Sequence, residues 1–161
     1  MHVILFLASK SDADFVKPME DILKEFGVPT KTVMASAHKV PDKVFCYVGG
    51  GWYWPGQTIK DLQDEMRRHL DAGYTMVKMK VGGLPLADDV RRLEAVLEVV
   101  GAGDHLAVDA NCKFGRDEAL AYAKALSSFK LRWFEEPCDP LDFALFAELA
   151  SVYAAPLATG E

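Results

Sequence analysis

Cysteine is scarce in this chain: Cys46, Cys112 and Cys138 are odd in number and widely spaced. That excludes a disulfide framework and the paired spacings of zinc or redox sites, so a reduced, cytoplasmic protein is expected. Basic runs are missing and the formal net charge is −6 at pH 7, so nucleic acid is not an expected partner. No apolar run is long enough to span a bilayer. The stretch Val3 to Ala8 is apolar but lacks the basic flank and small-residue cleavage site of a signal peptide, so no membrane partner is expected either. Neither Gly-Lys-Ser nor Gly-x-Gly-x-x-Gly occurs. The Gly49-Gly50-Gly51 run therefore reads as a flexible loop beside a site, not as a phosphate cradle. Low-complexity stretches are absent as well.

What remains is an ordinary globular composition, 50% hydrophobic and 26% charged, in a chain long enough for a sizeable core. Residues 3–8 read as a buried strand, followed by a turn at Ser9-Lys10-Ser11-Asp12. Phe15, Met19, Ile22, Leu23 and Phe26 then recur at helical spacing, and Gly27 closes the helix. Residues 30–35 form a second strand, completing a parallel βαβ unit. After Pro41 the pattern changes. Residues 45–48 read as a strand, and Thr58 caps a helix running to about Ala72, with Leu62, Met66 and Leu70 on one face. Strands follow at 74–80, 105–109, 131–135 and 156–160. Helices alternate with them at 88–100, 116–126 and from Pro140 to about Val152. The pattern predicts an α/β fold of parallel strands alternating with helices. A partial or re-closed (β/α) barrel is one form of it, an open doubly wound, flavodoxin-like sheet the alternative.

Val77-Lys78-Met79-Lys80 is the unusual stretch. Successive side chains of a strand point to opposite faces, so Val77 and Met79 face the helices and both lysines face the other way. Two ammonium groups on a buried face demand anions opposite them. Asp109, Glu135 and Glu161 each end an apolar run. Lys80 to Asp109 spans 29 residues, and the next two intervals are 26 each. One strand–helix unit is about that long, so each acid falls at the C-terminal end of its strand, where parallel barrels build their sites. Acids at strand ends also cap the helices that follow. With 24 acidic residues in 161, an acid at the same point of three consecutive units favours a shared site instead. Three such carboxylates suit a hard divalent cation such as Mg²⁺.

The motifs Lys78-Met79-Lys80, Val108-Asp109-Ala110-Asn111, Trp133-Phe134-Glu135-Glu136-Pro137 and Thr159-Gly160-Glu161 resemble the enolase superfamily. The likeness is to its mandelate racemase/muconate lactonizing subgroup, tartrate dehydratase-like acid-sugar dehydratases in particular, and it runs from about Val44 to Glu161. It implies a barrel segment holding strands 1–5 and a Mg²⁺-dependent lyase reaction. In that reaction the proton α to a carboxylate is taken from a small-molecule acid sugar and an ene-diolate is stabilised. A Lys or His base with Mg²⁺ is a known arrangement of this superfamily. By resemblance Lys80 is the base, Lys78 its electrostatic neighbour, and Asp109, Glu135 and Glu161 hold the metal. Asn111 would touch substrate or support a metal ligand. The resemblance also implies later strands with a second acid/base and a capping domain that the sequence does not contain. The expectation is a truncated barrel whose exposed strand edges a second copy would cover.

The opening resembles a different family. Ala8-Ser9-Lys10-Ser11-Asp12 and Ser36-Ala37-His38-Lys39-Val40-Pro41-Asp42 are similar to the nucleotide-binding loops of class I carboxyaminoimidazole ribonucleotide mutase. That implies ribonucleotide contacts from Ser9, Ser11, Asp12 and Ser36, with His38 handling protons. Two segments are therefore expected, a mutase-like one at 1–43 and a barrel-like one at 44–161, packed as one domain. Two alternatives to an acid-sugar dehydratase segment follow. One is a fragment or engineered chimera of two α/β proteins with no evolved activity, and the other is mutase-like ligand binding through the N-terminal segment.

Overall fold

In the computed structural model, which describes residues 3–7, 13–34 and 45–160, the chain divides into two units, Met1–Phe45 and Cys46–Glu161. In the first, β1 (Val3–Leu7), α1 (Ala13–Glu25) and β2 (Thr30–Met34) form the βαβ unit. The two strands pair in parallel from Val3 opposite Thr30 to Leu7 opposite Met34. Gly27 ends the helix in a left-handed conformation (φ 67°), as its position predicts. The apolar stripe of α1 is not buried: Phe15 is 87% exposed and Phe26 79%. A two-stranded sheet offers too little surface to cover it.

The second unit alternates without interruption. Its elements are β3 (Val48–Gly50), α2 (Ile59–Asp71), β4 (Val77–Lys80), α3 (Leu86–Val100), β5 (Leu106–Asp109), α4 (Arg116–Leu126), β6 (Phe134–Glu135), α5 (Phe143–Val152) and β7 (Leu157–Ala158). All five strands are parallel and neighbour one another in chain order. Such an order never reverses, whereas a doubly wound sheet reverses at its switch point. The architecture is that of a barrel wall, and among the described residues the sheet is not closed. Its curvature is visible in one contact. Tyr47, which leads into β3, meets the Trp133 ring beside β6 with centroids 5.2 Å apart. Strands three places apart on a flat sheet lie about 14 Å from each other.

The core lies between this sheet and its helices. Val77, Met79, Leu106, Val108 and Phe134 from the strands pack with Leu62, Met66, Leu93, Val96, Tyr122 and Leu149 from the helices. Thr58 caps α2 as expected: its hydroxyl accepts from the Asp61 N–H, and Asp61 accepts from the Thr58 N–H. Several boundaries depart from the pattern: the strands expected at 74–80, 131–135 and 156–160 are the shorter Val77–Lys80, Phe134–Glu135 and Leu157–Ala158. The final helix starts at Phe143 rather than Pro140, because the Asp142 carboxylate caps it by accepting from the Leu145 N–H at 2.9 Å. The first strand of this unit is Val48–Gly50 rather than 45–48, so two of the three glycines lie in the sheet. Gly50 and Gly51 are sites of close approach rather than parts of a flexible loop. A Cβ at Gly50 would stand 2.5 Å from a Glu65 carboxylate oxygen, and one at Gly51 (φ 64°) 2.7 Å from the Met79 Cβ.

Candidate active site

Strand register builds the site. Lys80 lies opposite Asp109, Asp109 opposite Glu135, and Glu135 opposite Ala158, all at the C-terminal ends of their strands. Side chains at one level of parallel neighbours share a face, so the two lysines of β4 look toward both acids. Lys80 Nζ donates to Asp109 Oδ2 at 2.6 Å. Lys78 Nζ bridges the two acids, pairing with Asp109 Oδ2 at 3.2 Å and with Glu135 Oε1. Asp109 and Glu135 are 2% and 8% exposed. The anions that these half-buried lysines require are thus supplied by the downstream strands.

The remaining oxygens are also engaged. Asp109 Oδ1 accepts the Asn111 backbone N–H at 2.9 Å, and Glu135 Oε2 accepts the Trp133 indole N–H at 2.7 Å. Asn111 therefore meets the site through its backbone. Burial works against ionisation of Asp109, but the hydrogen bonds from Lys80, Asn111 and Lys78 outweigh it and hold the carboxyl below its ordinary pKa. Burial likewise works to lower the Lys78 pKa, and the bonds to Glu135 and Asp109 reverse it, leaving that ammonium harder to deprotonate than usual. Aromatic rings cover both amines: Tyr47 lies 5.5 Å from Lys78 Nζ and Trp52 4.8 Å from Lys80 Nζ.

The turns after the acids are conformationally unusual. Asn111 (φ 49°), Cys112 (φ 58°) and Glu136 (φ 45°) are left-handed without being glycine. They interlock, because the Cys112 N–H donates to the Glu136 carbonyl at 2.8 Å and the Glu136 N–H to Ala158 O at 2.8 Å. Strain of this kind collects where backbone must be aimed. The Glu136 side chain is 4% exposed.

A second polar cluster went unrecognised in the sequence. Asp89 and Arg92 of α3 are buried and 3.2 Å apart. Asp89 also accepts from the Tyr53 hydroxyl (2.6 Å), the Tyr122 hydroxyl (2.9 Å) and the Gly82 N–H (2.6 Å). Arg92 donates to Gly51 O at 2.7 Å and Lys80 O at 3.3 Å. The pair ties the loop after β3 to the backbone of Lys80. Its signal was present: Asp89 falls in phase with Leu93, Val96 and Val100, so a carboxylate sits on the apolar face of the helix. Tyr47 carried no signal beyond its aromatic character, whereas Trp133 stands two residues before Glu135 and so on its face of the chain.

Ser9, Ser11, Asp12, Ser36, His38 and Glu161 lie outside the described residues. Among the described residues, no group of three or more His, Cys, Asp and Glu side chains stands ready for a metal ion, and no helix is long and apolar enough to cross a membrane. What the site offers is a pair of buried carboxylates, oxygen donors of the kind a hard cation selects, beside two amines.

Residues 61–161 match the family model for enolase C-terminal domain-like proteins, and residues 2–50 that for AIR carboxylase. Arabinonate dehydratase of Saccharolobus solfataricus is 34% identical over 116 residues, covering 72% of this chain and 31% of that protein. L-talarate/galactarate dehydratase of Salmonella typhimurium LT2, solved with Mg and L-lyxarohydroxamate, superposes with a TM-score of 0.67. It shares 34% identity over 75% of this chain and 31% of its own. A racemase from Streptomyces coelicolor A3(2) with bound magnesium gives 0.65 at 37% identity, over 73% and 32%. The chain spans about a third of the length of these relatives.

Proposed function

The chain belongs to the enolase C-terminal domain-like family, and from that premise we propose that residues 46–161 carry the proton-abstracting face of a Mg²⁺-dependent acid-sugar dehydratase. The observation that carries the reading is the convergence of Lys78, Lys80, Asp109 and Glu135 at the strand ends. Relatives named as acid-sugar dehydratases, and solved relatives with magnesium, supply the substrate class and the cation.

Asp109 and Glu135 would hold Mg²⁺, with Glu161 as the third ligand. The bound cation supplies positive charge that stabilises the negative charge developing on the substrate carboxylate. Lys80 is the base: its Nζ stands at the end of β4, where it can take the proton α to that carboxylate. Lys78 remains an ammonium, since its bonds to Glu135 and Asp109 hold its proton, and it contributes fixed positive charge. Trp52 flanks Lys80 and keeps water from one side of it. Asp89 and Arg92 hold the backbone that presents Lys80.

Calorimetric titration with Mg²⁺ tests the reading. The parent should give a saturable heat that Asp109→Asn abolishes. Proton NMR in D₂O should then show loss of the α-proton of an acid sugar, slowed about 10²–10⁴-fold in Lys80→Ala. A folded parent that binds no Mg²⁺ would overturn the assignment.

The AIR carboxylase match supports a second reading, ribonucleotide binding by residues 2–50. Its candidate contacts are Ser9, Ser11, Asp12, Ser36 and His38. Titration with aminoimidazole ribonucleotide, with His38→Ala beside it, separates this activity from the first.

A further inference from the structure

Glu135 differs from Asp109 in how it is held. Asp109 sits on a short side chain and accepts a backbone N–H two residues on. Glu135 has one more rotatable bond, and no backbone hydrogen bond to its carboxylate is present among the described residues. Its Oε2 accepts the Trp133 indole N–H at 2.7 Å, and its Oε1 takes Lys78. An indole nitrogen can only donate, so this bond has one polarity and one geometry. Because the acceptor is ionised, the bond is of the stronger, charge-assisted kind.

The donor is itself fixed. Trp133 lies two residues before Glu135 and therefore on the same face of the chain. Tyr47 packs edge-on against its ring, at 5.2 Å and 79° between planes, and covers Lys78 with its own face. Tyr47, Lys78, Trp133 and Glu135 thus form a closed set drawn from the approach to β3, from β4 and from β6. Removing the indole N–H would free the carboxylate to rotate about its last bond.

We infer that Trp133 is a positioning residue for Glu135: its indole N–H holds one carboxylate oxygen and turns the other toward Lys78 and Asp109. The inference rests on the proposed role of Glu135 as a cation ligand. Groups that orient a ligating carboxylate are worth about 10–100-fold in metal affinity. Trp133 would set that affinity without touching the ion.

Two measurements on the full chain decide it. The first is the indole ¹H–¹⁵N resonance of Trp133. It should sit downfield of those of Trp52 and Trp54 and move upfield in Glu135→Gln, a response that simple packing would not give. A Trp133 resonance indifferent to Glu135→Gln overturns the inference whatever the metal does. The second is Mg²⁺ affinity by calorimetry in Trp133→Phe, which keeps an aromatic ring and loses the donor. About 10-fold weaker binding or more, with the thermal midpoint little changed, supports the inference. Equal affinity in parent and Trp133→Phe overturns it and leaves the metal site standing. A parent that binds no Mg²⁺ while its indole responds to Glu135→Gln overturns the metal reading and supports the positioning of Glu135.

Discussion

Asp109 and Lys78 make the site sensitive to pH in opposite ways. Asp109 titrates below its ordinary value in the folded chain, and an unfolded aspartate titrates near pH 3.9. Its contribution to stability is complete above about pH 4 and is lost as pH falls through the folded value. Lys78 titrates above its ordinary 10.5, so its contribution is complete at neutral pH and is lost only as pH rises through that higher folded value. Urea unfolding between about pH 2 and 6 should show stability falling at the acid end in the parent and falling less in Asp109→Asn. Gly51 makes a different demand on the sequence. Its φ is positive and an added Cβ would strike Met79. Gly51→Ala should lose about 2–4 kcal/mol in urea unfolding, combining left-handed strain with overpacking. A loss below about 0.5 kcal/mol, the scale of an ordinary surface change, would mean that β3 and β4 are not packed this closely.

At the scale of elements, α3 does more than cover the sheet. It inserts Asp89 and Arg92 among the ends of β3, β4 and α4. A buried pair contributes little net stability when whole, yet breaking it strands the remaining charge. Asp89→Ala removes the counter-charge of buried Arg92, which keeps the Gly51 and Lys80 carbonyls, and the carboxylate shared by two tyrosine hydroxyls and the Gly82 N–H. It should cost about 3–5 kcal/mol in chemical denaturation. Thr58→Ala, which removes only the cap of α2, should cost about 1 kcal/mol. The contrast between the two variants tests whether α3 is anchored through its polar cluster or through its apolar face alone. Equal, small losses would favour the apolar face.

At the scale of the molecule, apolar burial among the described residues is concentrated in the second unit. Every described side chain of the main core cluster belongs to residues 46–161, while α1 buries none. Cooperativity follows buried apolar surface. Residues 46–161 expressed alone should therefore unfold in a single transition, close to the main transition of the full chain when both are followed by circular dichroism. A broad, non-cooperative melt would show that this wall is not stable by itself.

Much of this was written in the one-dimensional pattern, for a physical reason. Period-2 alternation at Val77–Lys80 and the recurrence of acids one strand–helix unit apart are local properties, and they determined the parallel α/β class, the helices from Thr58 onward and the approach of Lys78, Lys80, Asp109 and Glu135. Cap chemistry fixed the start of α2 for the same reason. Tertiary structure decided what depends on distant neighbours. The glycine run became strand because Val48–Gly50 pairs with Val77–Met79. Asp89 became a hub because Tyr53, Gly82 and Tyr122 converge on it from three other segments. Sheet curvature brought Tyr47 to Trp133 and so packed a ring against the donor that holds Glu135. Sequence encodes the period of each element, whereas the partners of a buried polar group are chosen by how those elements pack.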